Sequence, residues 1–253
     1  KKREEGEKWL AHVTDKPFEI IAVDKKNGKE YAPRLFDLTS LQVHCNKRFG
    51  FSADMTLKII QKLYEQKVVT YPRVDTTYLP NDQYPKIPGI LQKMGQYRQL
   101  TQPLLGTTLR KTKRVFDDKK VTDHHAIIPT GMEKNLVGND QKVYDAIARR
   151  FIAAFYPDCE VAKTKVTGAV DKLKFTANGK EILKEGWRVV FPHLQKNNAA
   201  SKSANSSATN TKKGKEPEKI LPDFKKGESG PHDPQLVEKQ TQPPKLFTEA
   251  TLL

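Results

Sequence analysis

The chain has 253 residues, enough for one large or two modest domains with a real core, and its 36% hydrophobic and 30% charged residues place it among soluble proteins on the polar side of the globular class. Lys and Arg number 45 against 30 Asp and Glu, a net charge of +15 that favours polyanionic partners through phosphate neutralisation and counterion release. Cys45 and Cys159 have no paired spacing, which excludes a disulfide framework and a zinc ribbon, and no apolar run reaches the ~18 residues of a membrane span; no membrane is involved and a reducing, cytoplasmic setting is expected.

Phe18 to Val23 is apolar and β-prone, Asn27-Gly28 has the residues of a tight turn, and Tyr31 to Phe36 is apolar again, so the sequence predicts an early hairpin. From Thr39 the period becomes helical. Thr39 with Gln42 makes a capping box, Leu41, Cys45 and Phe49 share a face, and Gly50 stops the helix. Ser52 caps a second helix whose apolar face is Leu57, Ile60, Leu63 and Tyr64, and the order helix, turn, helix, then Val68-Val69-Thr70 is winged-helix-like. Asn139 is placed to cap a third strong helix with Val143, Tyr144, Ile147, Phe151 and Phe155 inward, ended by Pro157. The pattern then returns to β: Ala162, Thr164 and Val166 alternate with lysines, Leu173 and Phe175 alternate with Lys172 and Lys174, and Trp187 to Phe191 is a buried-looking run. Gln195 to Lys219 has no large apolar residue, which predicts a mobile loop. Thr248 caps a final helix that ends with the chain after one turn.

The chemistry concentrates in Thr70-Tyr71-Pro72-Arg73-Val74-Asp75-Thr76-Thr77-Tyr78-Leu79-Pro80. Pro72 keeps Tyr71 out of the α region, so the segment turns and presents the phenol. A phenol with a reference pKa near ~10 needs a base, a metal-bound partner or a nearby cation to act as a nucleophile, and Arg73 is such a cation. Its planar fork suits two phosphate oxygens and the charge that builds on them in phosphoryl transfer. Asp75 is placed to hold Arg73 by an ion pair. A second stretch, Thr122-Asp123-His124-His125-Ala126-Ile127-Ile128-Pro129-Thr130, carries two imidazoles able to donate to phosphate oxygens, and their adjacency without a third spaced ligand argues against a metal site. Lys111, Lys113, Arg114, Lys119 and Lys120 precede it, and similar charge recurs at Lys212 to Lys215; these residues could track a DNA backbone.

The first stretch resembles the active-site motif of type IA DNA topoisomerases, particularly the topoisomerase III branch, whose pattern is Thr-Tyr-Pro-Arg-x-Asp. The second is similar to that family's second motif. Pro243-Pro244-Lys245-Leu246-Phe247-Thr248-Glu249-Ala250-Thr251-Leu252-Leu253 is similar to its Pro-Pro-x-x-(Tyr/Phe)-Thr-Glu-Ala-Thr-Leu segment. The resemblance implies that Tyr71 attacks a single-strand DNA phosphodiester, leaving a 5′-phosphotyrosine and a free 3′-hydroxyl that reseal without ATP. It implies that Arg73 contacts the scissile phosphate and that His124 contacts DNA near the reaction centre; His125, next to it, and Lys111, Lys113 and Arg114, by their charge, are the further candidate DNA contacts. The family's acidic Asp-x-Asp-x-Asp cluster is missing from this sequence, so Mg²⁺ is expected to bind outside it, in an N-terminal domain; this chain alone is expected to hold no cofactor and to be inactive.

The fold class expected is α+β. A discontinuous β-rich arch, or gate, domain of residues 1–38 and 158–247, with a mobile loop at 195–219, is interrupted by a mainly helical, winged-helix-like domain of residues 39–157 bearing Tyr71, and 248–253 begin a truncated helix. The leading function is a strand-passing topoisomerase acting on single-stranded or underwound DNA. The rival is a non-catalytic winged-helix module that holds single-stranded nucleic acid and stacks Tyr71 on a base. Covalent attachment to DNA separates the two.

Overall fold

The computed structural model describes residues 3–192, 194 and 220–253. The chain divides into two compact units, one drawing on Lys1–Glu30, Cys159–Glu185 and Gln195–Pro244, the other on Tyr31–Asp158, Gly186–Leu194 and Lys245–Leu253. The segment 195–219, with Lys212 to Lys215, lies outside the described residues.

The first unit combines helix α1 (Arg3–Thr14) with an antiparallel sheet of β1 (Phe18–Glu30), β2 (Cys159–Val170), β3 (Leu173–Lys184) and β4 (Ser229–Gly230) in the order β3-β2-β1-β4. The hairpin expected at Asn27-Gly28 is not formed. Both residues continue β1, with Asn27 opposite Ala162 and Gly28 opposite Val161, and Gly28 has no positive φ. A distant strand that pairs along the whole of β1 satisfies more backbone groups than a local two-residue turn could. The tight turn lies instead between β2 and β3, where Val170 faces Leu173 and Asp171 takes φ 50°. Its carboxylate accepts a hydrogen bond from Lys16 and lies 3.1 Å from His12 Nε2. Val166 and Val170 are buried while Lys163 and Lys165 are exposed, following their alternation in sequence. Gly168 is required by packing, because a Cβ there would lie 2.0 Å from Phe18 Cζ.

The second unit is built on α2 (Leu38–Phe49), α3 (Ala53–Glu65) and α6 (Gly138–Ala153), with the short α4 (Ile87–Gln92) and α5 (Arg98–Leu105) between them. Leu41, Cys45, Ile60, Leu63, Ile147 and Phe151 are fully buried and form its centre. Gly50 ends α2 in the left-handed region at φ 72°, and Ser52 caps α3 by accepting from Met55 N, both as the sequence indicates. The cap of α2 differs from expectation: Asp37, not Thr39, accepts from Ser40 N at 2.7 Å, with Ser40 completing the capping box. Asn139 does not cap α6 either, since the helix begins at Gly138 and the Asn139 side chain bonds Lys142. The face of α3 that is buried comprises Thr56, Ile59, Ile60 and Leu63, leaving Tyr64 on its flank. Trp187 to Phe191 is largely buried but is not a strand. Gly186–Val190 is a 3₁₀ turn of this unit, entered through Gly186 at φ 51°, where a Cβ would lie 2.5 Å from the Asp158 carbonyl oxygen. Thr248 caps the final helix α7 (Glu249–Leu252), and Glu249 Oε2 accepts from Ala53 N at 2.9 Å, adding a carboxylate to the first turn of α3. Among the described residues no helix is long and apolar enough to cross a membrane.

Candidate active site around Tyr71

Tyr71 sits where the chain leaves α3 in extended form. Thr70 N donates to Ile128 O at 2.9 Å, Ile128 N donates to Thr70 Oγ1 at 3.0 Å, and Thr130 N donates to Val68 O at 3.1 Å. Farther along, Ala126 N donates to Tyr78 O at 2.9 Å, and Thr76 Oγ1 donates to Lys120 O at 2.6 Å. The two motif segments are thereby laced together by backbone bonds and by the hydroxyls of Thr70 and Thr76. Burial then alternates with period 2: Pro72, Val74, Thr76 and Tyr78 are buried, whereas Tyr71, Arg73, Asp75 and Thr77 lie on the outer side. Extended geometry thus places Tyr71 and Arg73 on one face.

The Tyr71 ring is held between two others. The His124 ring centroid is 4.4 Å away with planes tilted by 38°, and the Tyr64 ring meets it edge-on at 5.4 Å and 82°. Arg73 and His124 are exposed, and no carboxylate ion-pairs with Arg73 among the described residues, so the Asp75 ion pair expected from sequence is not formed. Neighbours two apart on one face of an extended chain stand about 7 Å apart, too far unless both side chains lean together. His125 is half-buried. Its Nδ1 lies 2.8 Å from the Ala126 carbonyl, which can only accept, so Nδ1 carries the proton and donates.

The first motif contains a second tyrosine, and its placement separates the two. Tyr78 is 8% exposed, and Lys120 Nζ donates to its hydroxyl at 3.1 Å. That bond, helped by Arg34 over the ring at 4.7 Å, holds the Tyr78 phenol below its ordinary pKa. A more acidic phenol is of little use as a nucleophile when its ring is buried and its oxygen is already engaged by Lys120; the Tyr71 ring is the one on the outer side.

The basic residues ahead of the second motif make other contacts. Lys111 Nζ lies over the Tyr84 ring at 5.2 Å, Arg114 lies over Tyr31 at 4.5 Å, and Lys113 is exposed. None of these contacts is with Tyr71 or His124. Tyr64, in contrast, belongs to the site although the sequence reading assigned it to the core. The available signal was its flank position on α3, one residue from the helix end and just upstream of Tyr71. No group of three or more His, Cys, Asp or Glu is placed to hold a metal ion among the described residues.

The whole chain, residues 1–253, matches the DNA topoisomerase family. It is 37% identical to DNA topoisomerase 3 of Bacillus anthracis over 243 residues, covering 92% of this chain and 31% of that protein. It is 35% identical to DNA topoisomerase 3 of Bacillus subtilis (strain 168) over 251 residues, covering 96% of this chain and 33% of that one. The chain therefore spans about a third of the length of the curated relatives it matches. Its fold is similar to that of full-length topoisomerase I from Thermotoga maritima, with a TM-score of 0.63 at 19% identity, over 90% of this chain and 34% of that one.

Proposed function

The chain belongs to the DNA topoisomerase family, in its type IA, topoisomerase III branch, and on that premise we propose that Tyr71 is the nucleophile of a transient single-strand break in DNA. The observation that supports this is the outward Tyr71 ring beside His124, with Arg73 next along the same face. The phenolic oxygen attacks a backbone phosphorus. An O–P bond to Tyr71 forms as the bond from phosphorus to the 3′ oxygen breaks, the phenolic proton is given up, and the leaving 3′ oxygen is protonated. The product is a 5′-phosphotyrosine and a 3′-hydroxyl. Because one phosphodiester replaces another, its energy is retained, and the reverse attack by the 3′-hydroxyl reseals the strand after passage without ATP.

Arg73 pairs its planar fork with two nonbridging oxygens, whose charge rises in the transition state, and His124 donates to the same phosphate. His125 holds the loop that carries His124. In this reading α2, α3 and Val68 to Thr70 form a winged-helix-like support for Tyr71, and the four-stranded sheet belongs to an arch, or gate, domain. The setting is cytoplasmic. Among the described residues no three His, Cys, Asp or Glu gather to hold a metal, so no step is assigned to a metal on these residues; the ion is expected to be held by other parts of a protein as long as the relatives. The test is covalent attachment of single-stranded oligonucleotide to a protein extended to the relatives' length, with and without Mg²⁺. An adduct that requires Mg²⁺ and is lost in Tyr71→Phe supports the assignment, and the 253-residue chain alone should neither cleave nor relax DNA. DNA binding without any adduct would instead favour a non-catalytic binding module.

A further inference from the structure

Away from Tyr71, the second unit carries a cluster of guanidinium groups. Arg34, Arg110 and Arg114 line one cavity together with Thr112 and Tyr156. Arg110 is neutralised there: its two terminal nitrogens donate to the two Asp158 carboxylate oxygens at 2.7 and 3.0 Å. Arg34 and Arg114 are different. Neither has an ion pair among the described residues, and each lies over a tyrosine face, Arg34 at 4.7 Å over Tyr78 and Arg114 at 4.5 Å over Tyr31. Arg150 fixes the backbone beneath them by donating from Nη1 to the Arg34 carbonyl at 3.2 Å. Two guanidinium groups without an ion pair leave the cavity positively charged, and an anion placed there balances that charge. Their forks match phosphate oxygens.

Tyr31 specifies what else the anion carries. It is 52% exposed, with Arg114 against its ring, and an exposed tyrosine backed by a guanidinium is a platform on which a nucleobase stacks. We propose that Tyr31, Arg34 and Arg114 form a nucleotide subsite separate from Tyr71, which takes a backbone phosphate of single-stranded DNA in the arginine cavity and its neighbouring base on Tyr31. Single strands are required because a duplex keeps its bases stacked on one another. The inference rests on the reading that this chain handles single-stranded DNA.

The test uses the chain itself and needs no metal. An oligodeoxynucleotide carrying 5-iodouracil is photo-crosslinked to the chain and the adduct mapped by peptide mass. Affinity is measured by fluorescence anisotropy across a salt series for Tyr31→Ala, Tyr31→Phe, Arg114→Gln and Arg114→Lys. The expected adduct lies on the peptide containing Tyr31. Tyr31→Ala weakens binding about fivefold or more, the effect of losing one stacked base, while Tyr31→Phe keeps it. Arg114→Gln also weakens binding and reduces the slope of log K against log salt by about 0.7, the share of one single-strand phosphate. Arg114→Lys keeps the slope and loses part of the affinity. Parental affinity and slope in both Tyr31→Ala and Arg114→Gln would overturn the proposal, and should either variant melt early, absence of a Tyr31 adduct in the unsubstituted chain would do the same. Displacement of the oligonucleotide by inorganic phosphate at matched ionic strength would mean a phosphate-ion pocket and refute the nucleotide assignment. A Tyr31 crosslink in this chain, together with no Tyr71 adduct in the protein at its relatives' length with Mg²⁺, would reject the nucleophile assignment alone.

Discussion

Replacing Tyr64 by alanine tests whether the ring beside Tyr71 prepares it for attack. Tyr64 meets Tyr71 edge-on at 5.4 Å, and the His124 ring lies 4.4 Å away, so removing Tyr64 leaves the nucleophile's ring with one aromatic neighbour among the described residues. An edge-to-face pair contributes about 0.5–1.5 kcal/mol beyond the area it buries. If that energy holds Tyr71 in its reactive orientation, its loss slows attack about two- to twelvefold, at 1.36 kcal/mol per tenfold. Stability should not follow. Tyr64 is 38% exposed, so no sealed cavity is left, and alanine is the better helix former by up to about 0.7 kcal/mol. The assay is single-turnover covalent attachment to a single-stranded oligonucleotide by the protein at its relatives' length, with oligonucleotide affinity and melting temperature measured alongside. The expected pattern is a slower rate in Tyr64→Ala at parental affinity and melting temperature, and a parental rate in Tyr64→Phe. An unchanged rate in Tyr64→Ala would refute the reasoning, and so would Tyr64→Phe losing as much as alanine, since the hydroxyl would then be what matters.

Arg73→Lys keeps the charge but loses the fork, so the cleavage rate should drop further than oligonucleotide affinity; equal cleavage by variant and parent would count against a direct phosphate contact. Gly168→Ala drives a methyl to within 2.0 Å of Phe18, whose ring also packs on Phe175 and His232, so unfolding by urea should show a loss of about 1–3 kcal/mol, and an unshifted midpoint would show that Phe18 moves aside freely. The hydrogen bond from Lys16, with His12 close by, holds the Asp171 carboxyl below the usual carboxylate range. A group depressed in the folded state stabilises above its unfolded pKa and loses that contribution as pH falls through the folded one, so Lys16→Met should narrow the stability difference between neutral and acidic pH; an unchanged pH profile of the melting temperature would contradict this.

What the sequence alone determined is what short-range physics decides. Gly50 ends α2, Ser52 starts α3 and Thr248 starts α7 because caps are settled within one turn of backbone. Pro72 keeps Tyr71 out of the α region, as the sequence indicates, although the segment read as a turn is extended and so puts Tyr71 and Arg73 on one face. Even at this range close competitors can mislead: Asp37 and Thr39 are both good caps, and the helix starts at the earlier one, whose partner Ser40 completes the box. Only the tertiary structure decided the rest. Asn27-Gly28 has the composition of a turn, yet β2, remote in sequence, pairs with β1 straight through it. Trp187 to Phe191 has the apolar run of a buried strand, but it is a 3₁₀ turn docked through Trp187 N on the Pro157 carbonyl. His124 reaches Tyr71 because Thr70 and Ile128 exchange hydrogen bonds, Tyr64 reaches it from the flank of α3, and Arg114 finds Tyr31 across the fold. Contacts of this kind carry no local signature, since they depend on which distant backbone groups pair first to satisfy their hydrogen bonds.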